Sequence, residues 1–208
     1  MNKLINIDSN SISKYKFFIF DIETNGIIKY GNFNQQRPIQ ISYQLIDSNG
    51  NLLKSNSYFI KGVEKIEWPK KIGKCPWSVE YINENGIMID IVIEEFINIL
   101  SDEKIIIVSH NIDFDINCFC NFIKSEKLIS LFKESKKICT MKSTINFCKL
   151  FNKYTGKNNK YPKLSELANK LNIDTYDEKF HNSKYDVEIT KQCFIKLYTV
   201  KENIFFIQ

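Results

Sequence analysis

The sequence predicts an α/β fold with one β-sheet, because strand patterns fill about its first third and helical patterns alternate with strands after it. The apolar run from residue 17 into Asp21 is typical of a buried central strand. A second apolar run at residues 105–109 predicts another buried strand. Between them, residues 39–46 and 52–60 flank a turn sequence at residues 47–50, which indicates a hairpin whose first strand alternates as a half-buried strand does.

Helical spacing occupies much of the remaining chain, with a short edge strand near Ile138. Helices are predicted at residues 90–100, 113–124, 141–150, 164–171 and 183–200. The glycines and prolines of residues 61–77 predict a loop, which contains several lysines together with Trp68 and Trp77. Such a loop can grip a single nucleic-acid strand by charge and stacking. The more common role of large aromatic side chains is to bury area, which would pin the loop to the domain.

The composition is that of an ordinary globular domain, with 208 residues, 43% of them hydrophobic and 25% charged. We expect residues 1–15 to form a short extension and residues 16–208 to form a single domain. No apolar run reaches the ~18 residues needed to cross a bilayer. The first residues lack a secretory signal, so we expect an intracellular protein. The 6 cysteines include no C-x-x-C pair and are expected to be reduced thiols.

The formal net charge of +5 comes almost entirely from lysine, because Arg37 is the only arginine. A lysine is a point charge that suits phosphates, whereas reading of base edges favours the arginine fork. If the partner is a nucleic acid, we therefore expect binding to its backbone without regard to base sequence.

Two carboxylates close the first predicted strand. Residues two apart on a strand project to the same face, so Asp21 and Glu23 point the same way. Their mutual repulsion and loss of hydration would be offset most directly by a divalent cation. The alternative is a strand end whose charges are simply solvated.

Two further acidic stretches begin predicted helices. In the first, Asp113 and Asp115 cannot both face the crevice beyond the strand ends, and the pattern leaves the choice open. In the second, His181 and Asp186 converge only if His181 lies in the loop before its helix. The alternative there is a capping box formed by Ser183 and Asp186.

Taken in order, these stretches resemble the motifs of the DEDDh 3′–5′ exonucleases of the DnaQ-like (ribonuclease H-like) superfamily, which includes the proofreading epsilon subunit of bacterial DNA polymerase III. The resemblance covers residues 15–200, and its second motif selects Asp115 over Asp113. The matching stretches are Asp21-Ile22-Glu23-Thr24, His110-Asn111-x-x-Phe114-Asp115, and His181 with Asp186.

The resemblance implies a ribonuclease H-like mixed sheet of about five strands, one of them antiparallel, flanked by helices. It also implies metal-dependent hydrolysis at the 3′ end of single-stranded DNA that releases nucleoside 5′-monophosphates, either alone or with a DNA polymerase in proofreading or repair. Two alternatives are an exoribonuclease that trims RNA and a non-catalytic subunit that binds nucleic acid.

The resemblance further implies a role for each matched residue. Two Mg²⁺ or Mn²⁺ ions would be bound by carboxylates, and His181 would be the general base. The metal-binding set is Asp21, Glu23, Asp115 and Asp186. The substrate-binding set is Thr24, Asn25 and Gly26 at the terminal nucleotide, Ile27 as a wedge between bases, and His110 with Asn111. For Asn111, a purely structural role in a turn is equally open.

Overall fold

The computed structural model describes residues 14–26, 36–68 and 75–199. The five strands are β1 (Lys16–Thr24), β2 (Pro38–Ile46), β3 (Leu52–Phe59), β4 (Ile105–Ser109) and β5 (Lys136–Cys139). The α-helices are α1 (Val79–Asn85), α2 (Ile89–Leu100), α3 (Ile112–Phe122), α4 (Glu126–Glu134), α5 (Thr140–Ser143), α6 (Ile145–Cys148), α7 (Leu164–Lys170) and α8 (Ser183–Thr199). None of the helices in the described residues is long and apolar enough to cross a membrane.

The strands form one mixed sheet in the order β3-β2-β1-β4-β5. β2 runs antiparallel to both of its neighbours, whereas β1, β4 and β5 pair in parallel. One strand therefore opposes the other four, as predicted, and the predicted edge strand at Ile138 is β5. The predicted extension at residues 1–15 stays a prediction, because residues 1–13 lie outside the described part.

The two faces of β1 bury different partners. Phe18, Phe20 and Ile22 face a core that contains residues of α2, α3 and α4. Phe17 and Ile19 face the opposite core, which α8 covers. Because side chains alternate along a strand, Asp21 and Glu23 lie on the α8 side of the sheet.

β1 and β2 both differ from expectation in ways that matter for the site. β1 continues past Asp21, because Glu23 still pairs with Gln40 and Thr24 with Pro38. Both carboxylates of the acidic pair therefore lie on the strand near its carboxyl end, as predicted. β2 is buried along most of its length and is not half-buried, because α8 packs on the face that carries its polar residues.

The remaining differences lie in short elements. The helix predicted at residues 141–150 divides into α5 and α6 at Thr144, whose hydroxyl donates to the Thr140 carbonyl at 2.7 Å. α1 and α4 have no predicted counterpart. In the loop, Trp68 and Trp77 both pack around Ile39, Val63 and Ile82, as the pinning interpretation predicted. All six cysteines carry free thiols, four of them buried.

Candidate active site

The first two carboxylates lie where β1 extends beyond its parallel neighbour. The pairing of β1 with β4 ends at Ile19 and Val108, so the last residues of β1 border the crevice at the ends of the strands. Burial raises the pKa of Asp21 to about 7. Burial, together with the charges of Asp21, Asp186 and Asp115, raises the pKa of Glu23 well above its ordinary value. These partly buried carboxylates lie two residues apart on the same face of β1, where their charges repel each other.

The third carboxylate comes from the first turn of α3. The chain turns from β4 into this helix at Asn111, which adopts the left-handed conformation with φ 75° and ψ 47°. Asp115 is only 2% exposed and accepts hydrogen bonds from the Ser109 hydroxyl and from the backbone N–H of Ile22 in β1. Burial and the charge of Asp21 raise the pKa of Asp115.

Asp113 lies apart from this cluster. Its carboxylate is half exposed and forms an ion pair with Lys142. The structure therefore brings Asp115, and not Asp113, beside Asp21.

His110 is bonded to the protein through both ring nitrogens. Nδ1 lies 3.0 Å from the Thr140 hydroxyl, and Nε2 lies 3.0 Å from the Pro162 carbonyl. Burial lowers the pKa of His110 to about 4, so the ring is neutral. Nε2 must then donate to the carbonyl while Nδ1 accepts from the hydroxyl. His110 thereby ties the end of β4 to the segment before α7.

The N-terminus of α8 is held by the polar face of β2. The hydroxyls of Ser42 and Ser183 are hydrogen-bonded at 2.7 Å, and the Gln40 side chain accepts the backbone N–H of Ser183 at 3.0 Å. The helix cap is Asn182, whose side chain accepts the backbone N–H of Lys184 at 3.1 Å. The capping box of Ser183 with Asp186 was therefore the wrong interpretation, because the Ser183 hydroxyl bonds to the sheet.

The fourth carboxylate and the second histidine lie at this helix start. His181 precedes α8, as convergence requires, and adopts a left-handed φ of 63°. Its backbone N–H donates to Asp186 Oδ2 at 3.1 Å. Burial and the charge of Asp21 raise the pKa of Asp186 to about 8. Partial burial and the charge of Lys163 lower the pKa of His181, which favours a neutral ring.

These groups form a cluster suited to a divalent cation. Potential ligand atoms of Glu23, His181 and Asp186 all lie within 4.8 Å of one another. Asp186 Oδ1 is buried and has no hydrogen-bond partner among the described residues. A buried carboxylate oxygen without a partner is costly unless a cation takes its lone pairs. The oxygen-rich donor set therefore fits a hard metal ion.

The turn after β1 is fixed by contacts within the protein. The Thr24 hydroxyl donates to the Gly26 carbonyl at 2.9 Å. Asn25 exchanges two hydrogen bonds of 3.0 Å with the backbone of Arg37, and its carbonyl accepts the N–H of Glu67 at 2.6 Å. A Cβ at Gly26 would lie 3.3 Å from that of Glu67, so glycine permits this close approach. The predicted wedge residue Ile27 lies outside the described residues.

Three supporting residues escaped the sequence reasoning. Gln40 and Ser42 position the start of α8, and the Pro162 carbonyl fixes His110. The alternation of Gln40, Ser42 and Gln44 along β2 was a signal in the sequence for these contacts. β2 is paired with β1 on one edge and β3 on the other, and polar side chains on the buried face of such a strand need hydrogen-bond partners. Pro162 gave no such signal, because its contribution is a backbone carbonyl.

Comparison with known proteins places this chain in a family. A family model described as 3′–5′ exonuclease matches residues 9–197. The chain is 27% identical over 190 residues to the PolC-type DNA polymerase III of Mycoplasma genitalium and 25% identical over 215 residues to that of Ureaplasma parvum. These matches cover 91% and 97% of this chain but only 12% and 13% of the two polymerases.

Solved structures share the fold. The zinc-bound complex of E. coli exonuclease I with single-stranded DNA superposes with a TM-score of 0.68 at 15% identity, covering 92% of this chain and 42% of that one. The complex of the same enzyme with a dT13 oligonucleotide gives a TM-score of 0.62 at 16% identity, covering 90% of this chain and 41% of that one. The family match spans all five strands of the sheet and all four clustered carboxylates, and on that basis this chain belongs to the DnaQ-like 3′–5′ exonucleases.

Proposed function

We propose that this chain is a two-metal-ion exonuclease that hydrolyses the terminal phosphodiester at the 3′ end of single-stranded DNA and releases nucleoside 5′-monophosphates. The observation that carries the proposal is the convergence of four carboxylates with raised pKa values beside a histidine. They come from β1, α3 and α8, elements far apart in sequence. Single-stranded DNA is the ligand of the exonuclease I structures that share the fold, which supports DNA as the substrate class.

Asp21, Glu23, Asp115 and Asp186 would hold two Mg²⁺ or Mn²⁺ ions. Such ions neutralise charge on a phosphate, activate a water and stabilise a leaving oxygen. The side chains contribute by presenting oxygen ligands from fixed positions. Ser109 and the Ile22 backbone orient Asp115, while the His181 backbone orients Asp186.

His181 is the proposed general base. Its lowered pKa keeps the ring able to accept a proton near neutral pH. His181 is an exposed residue, so it can meet a water at the phosphorus of the terminal nucleotide. In hydrolysis the water oxygen bonds to phosphorus, the 3′ oxygen of the preceding nucleotide leaves, and His181 takes the proton of the attacking water.

The terminal nucleotide is proposed to lie against Thr24, Asn25, Gly26 and Ile27, with His110 and Asn111 nearby. The side chains of Asn25 and His110 would shape this wall without hydrogen-bonding to the nucleotide, since their polar groups already have protein partners. Because the two sequence relatives are polymerases, we also propose that the exonuclease acts beside a DNA polymerase, in proofreading or repair.

The deciding experiment digests three 5′-labelled substrates: single-stranded DNA, single-stranded RNA, and a primer-template with a mismatched 3′ end. Each is incubated with Mg²⁺, Mn²⁺ or chelator, and with Asp21→Ala as the inactive control. We expect a descending ladder on DNA with metal only, and none from Asp21→Ala. A ladder on RNA alone would assign an exoribonuclease instead. Binding without cleavage under every metal condition would assign a non-catalytic subunit, and cleavage in chelator would refute the metal mechanism.

A further inference from the structure

The aromatic ring of Trp68 lies against the imidazole of His181. The two ring centroids are 6.4 Å apart and the planes meet at 89°, an edge-to-face contact. The same imidazole brings a ring nitrogen within 4.8 Å of carboxylate oxygens of Glu23 and Asp186. An exposed histidine in a loop has several rotamers available, and contact with a large ring reduces that freedom.

The segment that leads to Trp68 is anchored at several points. The Asn83 side chain accepts the backbone N–H groups of Gly62 and Val63 at 2.8 and 3.0 Å. The Arg37 guanidinium donates to the Lys61 carbonyl at 2.8 Å.

Next to Trp68, the N–H of Glu67 donates to the Asn25 carbonyl at 2.6 Å. This bond joins the segment to the turn that follows the acidic end of β1. The indole also packs with the apolar cluster of Ile39, Val63 and Ile82. The indole ring of Trp68, which contacts His181, is therefore held in place by hydrogen bonds of its segment and by apolar packing.

We propose that Trp68 is a positioning residue for His181, which holds the imidazole over the carboxylate cluster in the orientation needed to take a proton. This inference rests on the proposed function. Trp68 acts on the chemical step through His181, so its loss lowers kcat and leaves substrate binding largely intact.

The indole N–H offers a competing role. Trp68 Nε1 is buried and has no acceptor among the described residues, so it could instead donate to a bound nucleotide. A Trp68→Phe variant separates the two roles, because it keeps an aromatic ring beside His181 and removes the donor. Trp77 is the matched control, since it packs in the same cluster but has its ring contact with Phe59.

The test measures kcat and KM on single-stranded DNA for the full chain and for Trp68→Ala, Trp68→Phe and Trp77→Ala. We expect Trp68→Ala to lower kcat by about 10- to 100-fold with KM within about twofold, as loss of catalytic geometry does. Trp68→Phe should recover most of the rate, and Trp77→Ala should keep it. Equal losses in Trp68→Phe and Trp68→Ala, or a loss mainly in KM, would overturn the proposal.

A double-mutant cycle tests whether Trp68 acts through His181. In the His181→Ala background, Trp68→Ala should cost little further activity, because the group it positions is gone. Additive losses would overturn the inference while leaving the exonuclease assignment intact. Failure of the exonuclease assignment would look different, since the wild-type chain would then give no ladder at all.

Fluorescence gives a readout that does not depend on activity. Since the sequence has 2 tryptophans, a Trp77→Phe chain carries Trp68 as its only indole. Adding His181→Ala to that chain should change the emission of Trp68 by removing its ring neighbour. Identical emission spectra would show that the contact is not made in solution and would overturn the proposal.

Discussion

Two stretches of this chain, at residues 110–115 and 181–186, have the same pattern, His-Asn-x-x-x-Asp. Each begins an α-helix at its third residue and ends in a buried carboxylate of the acidic cluster. The histidines nevertheless differ. His110 is bonded on both ring nitrogens, whereas His181 is exposed beside the carboxylates. A shared pattern thus supplies one structural histidine and one candidate base.

The backbone accounts for part of the difference. In the first stretch the left-handed residue is Asn111, so His110 continues from the end of β4 and its ring reaches Thr140 and Pro162. In the second stretch His181 is itself the left-handed residue, and its N–H turns back to Asp186. The left-handed residue thus follows the histidine in the first stretch and is the histidine itself in the second. The first histidine is bonded to the protein through both ring nitrogens, and the second borders the site.

The largest expected effect tests what the two stretches share. Asp115→Asn and Asp186→Asn should each reduce cleavage to the limit of detection, because each removes a negative ligand from the proposed metal site. The measurement is the initial rate of release of labelled nucleotide with Mg²⁺ and with Mn²⁺.

Asp113→Asn is the control, since this exposed residue lies two positions from Asp115 in the same helix and pairs only with Lys142 among the described residues. It should keep near wild-type activity, as loss of an exposed ion pair costs about 0–1 kcal/mol. An inactive Asp113→Asn beside an active Asp115→Asn would reverse the assignment.

The next effect separates the two histidines. His181→Ala should lower kcat by about 10²–10⁴, as loss of a general base does, while the melting temperature changes little. Metal binding, measured by calorimetry with Mn²⁺, should persist because the carboxylates remain. Full activity in this variant would remove His181 from the mechanism.

The acidic cluster, to which both stretches contribute a carboxylate, makes stability depend on pH and metal. The folded pKa values of Asp21 and Asp186, about 7 and 8, lie above the ordinary value of 3.8. Between about pH 4 and pH 8 the unfolded chain releases these protons while the folded chain keeps them. The metal-free protein should therefore lose stability as pH rises through this window, and should change little above it.

Thermal unfolding in chelator from pH 4 to pH 9 measures this slope, and Asp186→Asn should reduce it. A divalent cation at 100 times its dissociation constant should restore about 2.7 kcal/mol at pH 8. For a chain of this size that corresponds to about 5–10 °C. Stability that rises with pH in chelator would contradict the clustered, protonated carboxylates.

The smallest expected effect concerns His110. His110→Ala leaves the Pro162 carbonyl and the Thr140 hydroxyl without their partner, which should cost about 2 kcal/mol of unfolding free energy. The melting temperature should fall by about 4–8 °C, with a smaller loss of kcat than in His181→Ala. Unchanged stability with a loss of rate as steep as that of His181→Ala would make His110 a functional residue.

Long, strongly patterned elements were predictable. The apolar runs of β1 and β4 and the long helix α8 could be predicted because each buries a continuous face against the rest of the domain. The short helix α4 carries little signal, since only Leu128 and Phe132 are buried in it. The break at Thr144 depends on one side-chain hydrogen bond, which no periodicity reveals.

The four carboxylates could be predicted from three ordered motifs, but the contacts that hold them and His181 in place could not. Asp115 was separable from Asp113 by family resemblance alone, because burial, which distinguishes them, depends on how α3 packs against β1. The contact of Trp68 with His181 joins residues 113 positions apart, a separation at which local patterns carry no information.

The packing of α8 on β1 and β2 has a consequence for synthesis in the cell. A ribosome delivers the chain from its N-terminus, so Asp21, Glu23 and Asp115 emerge long before His181 and Asp186. A nascent chain that ends before residue 181 holds three of the four acids and lacks both His181 and Asp186. The domain should therefore stay silent until α8 has been synthesised, and become active only when that helix packs onto β1 and β2.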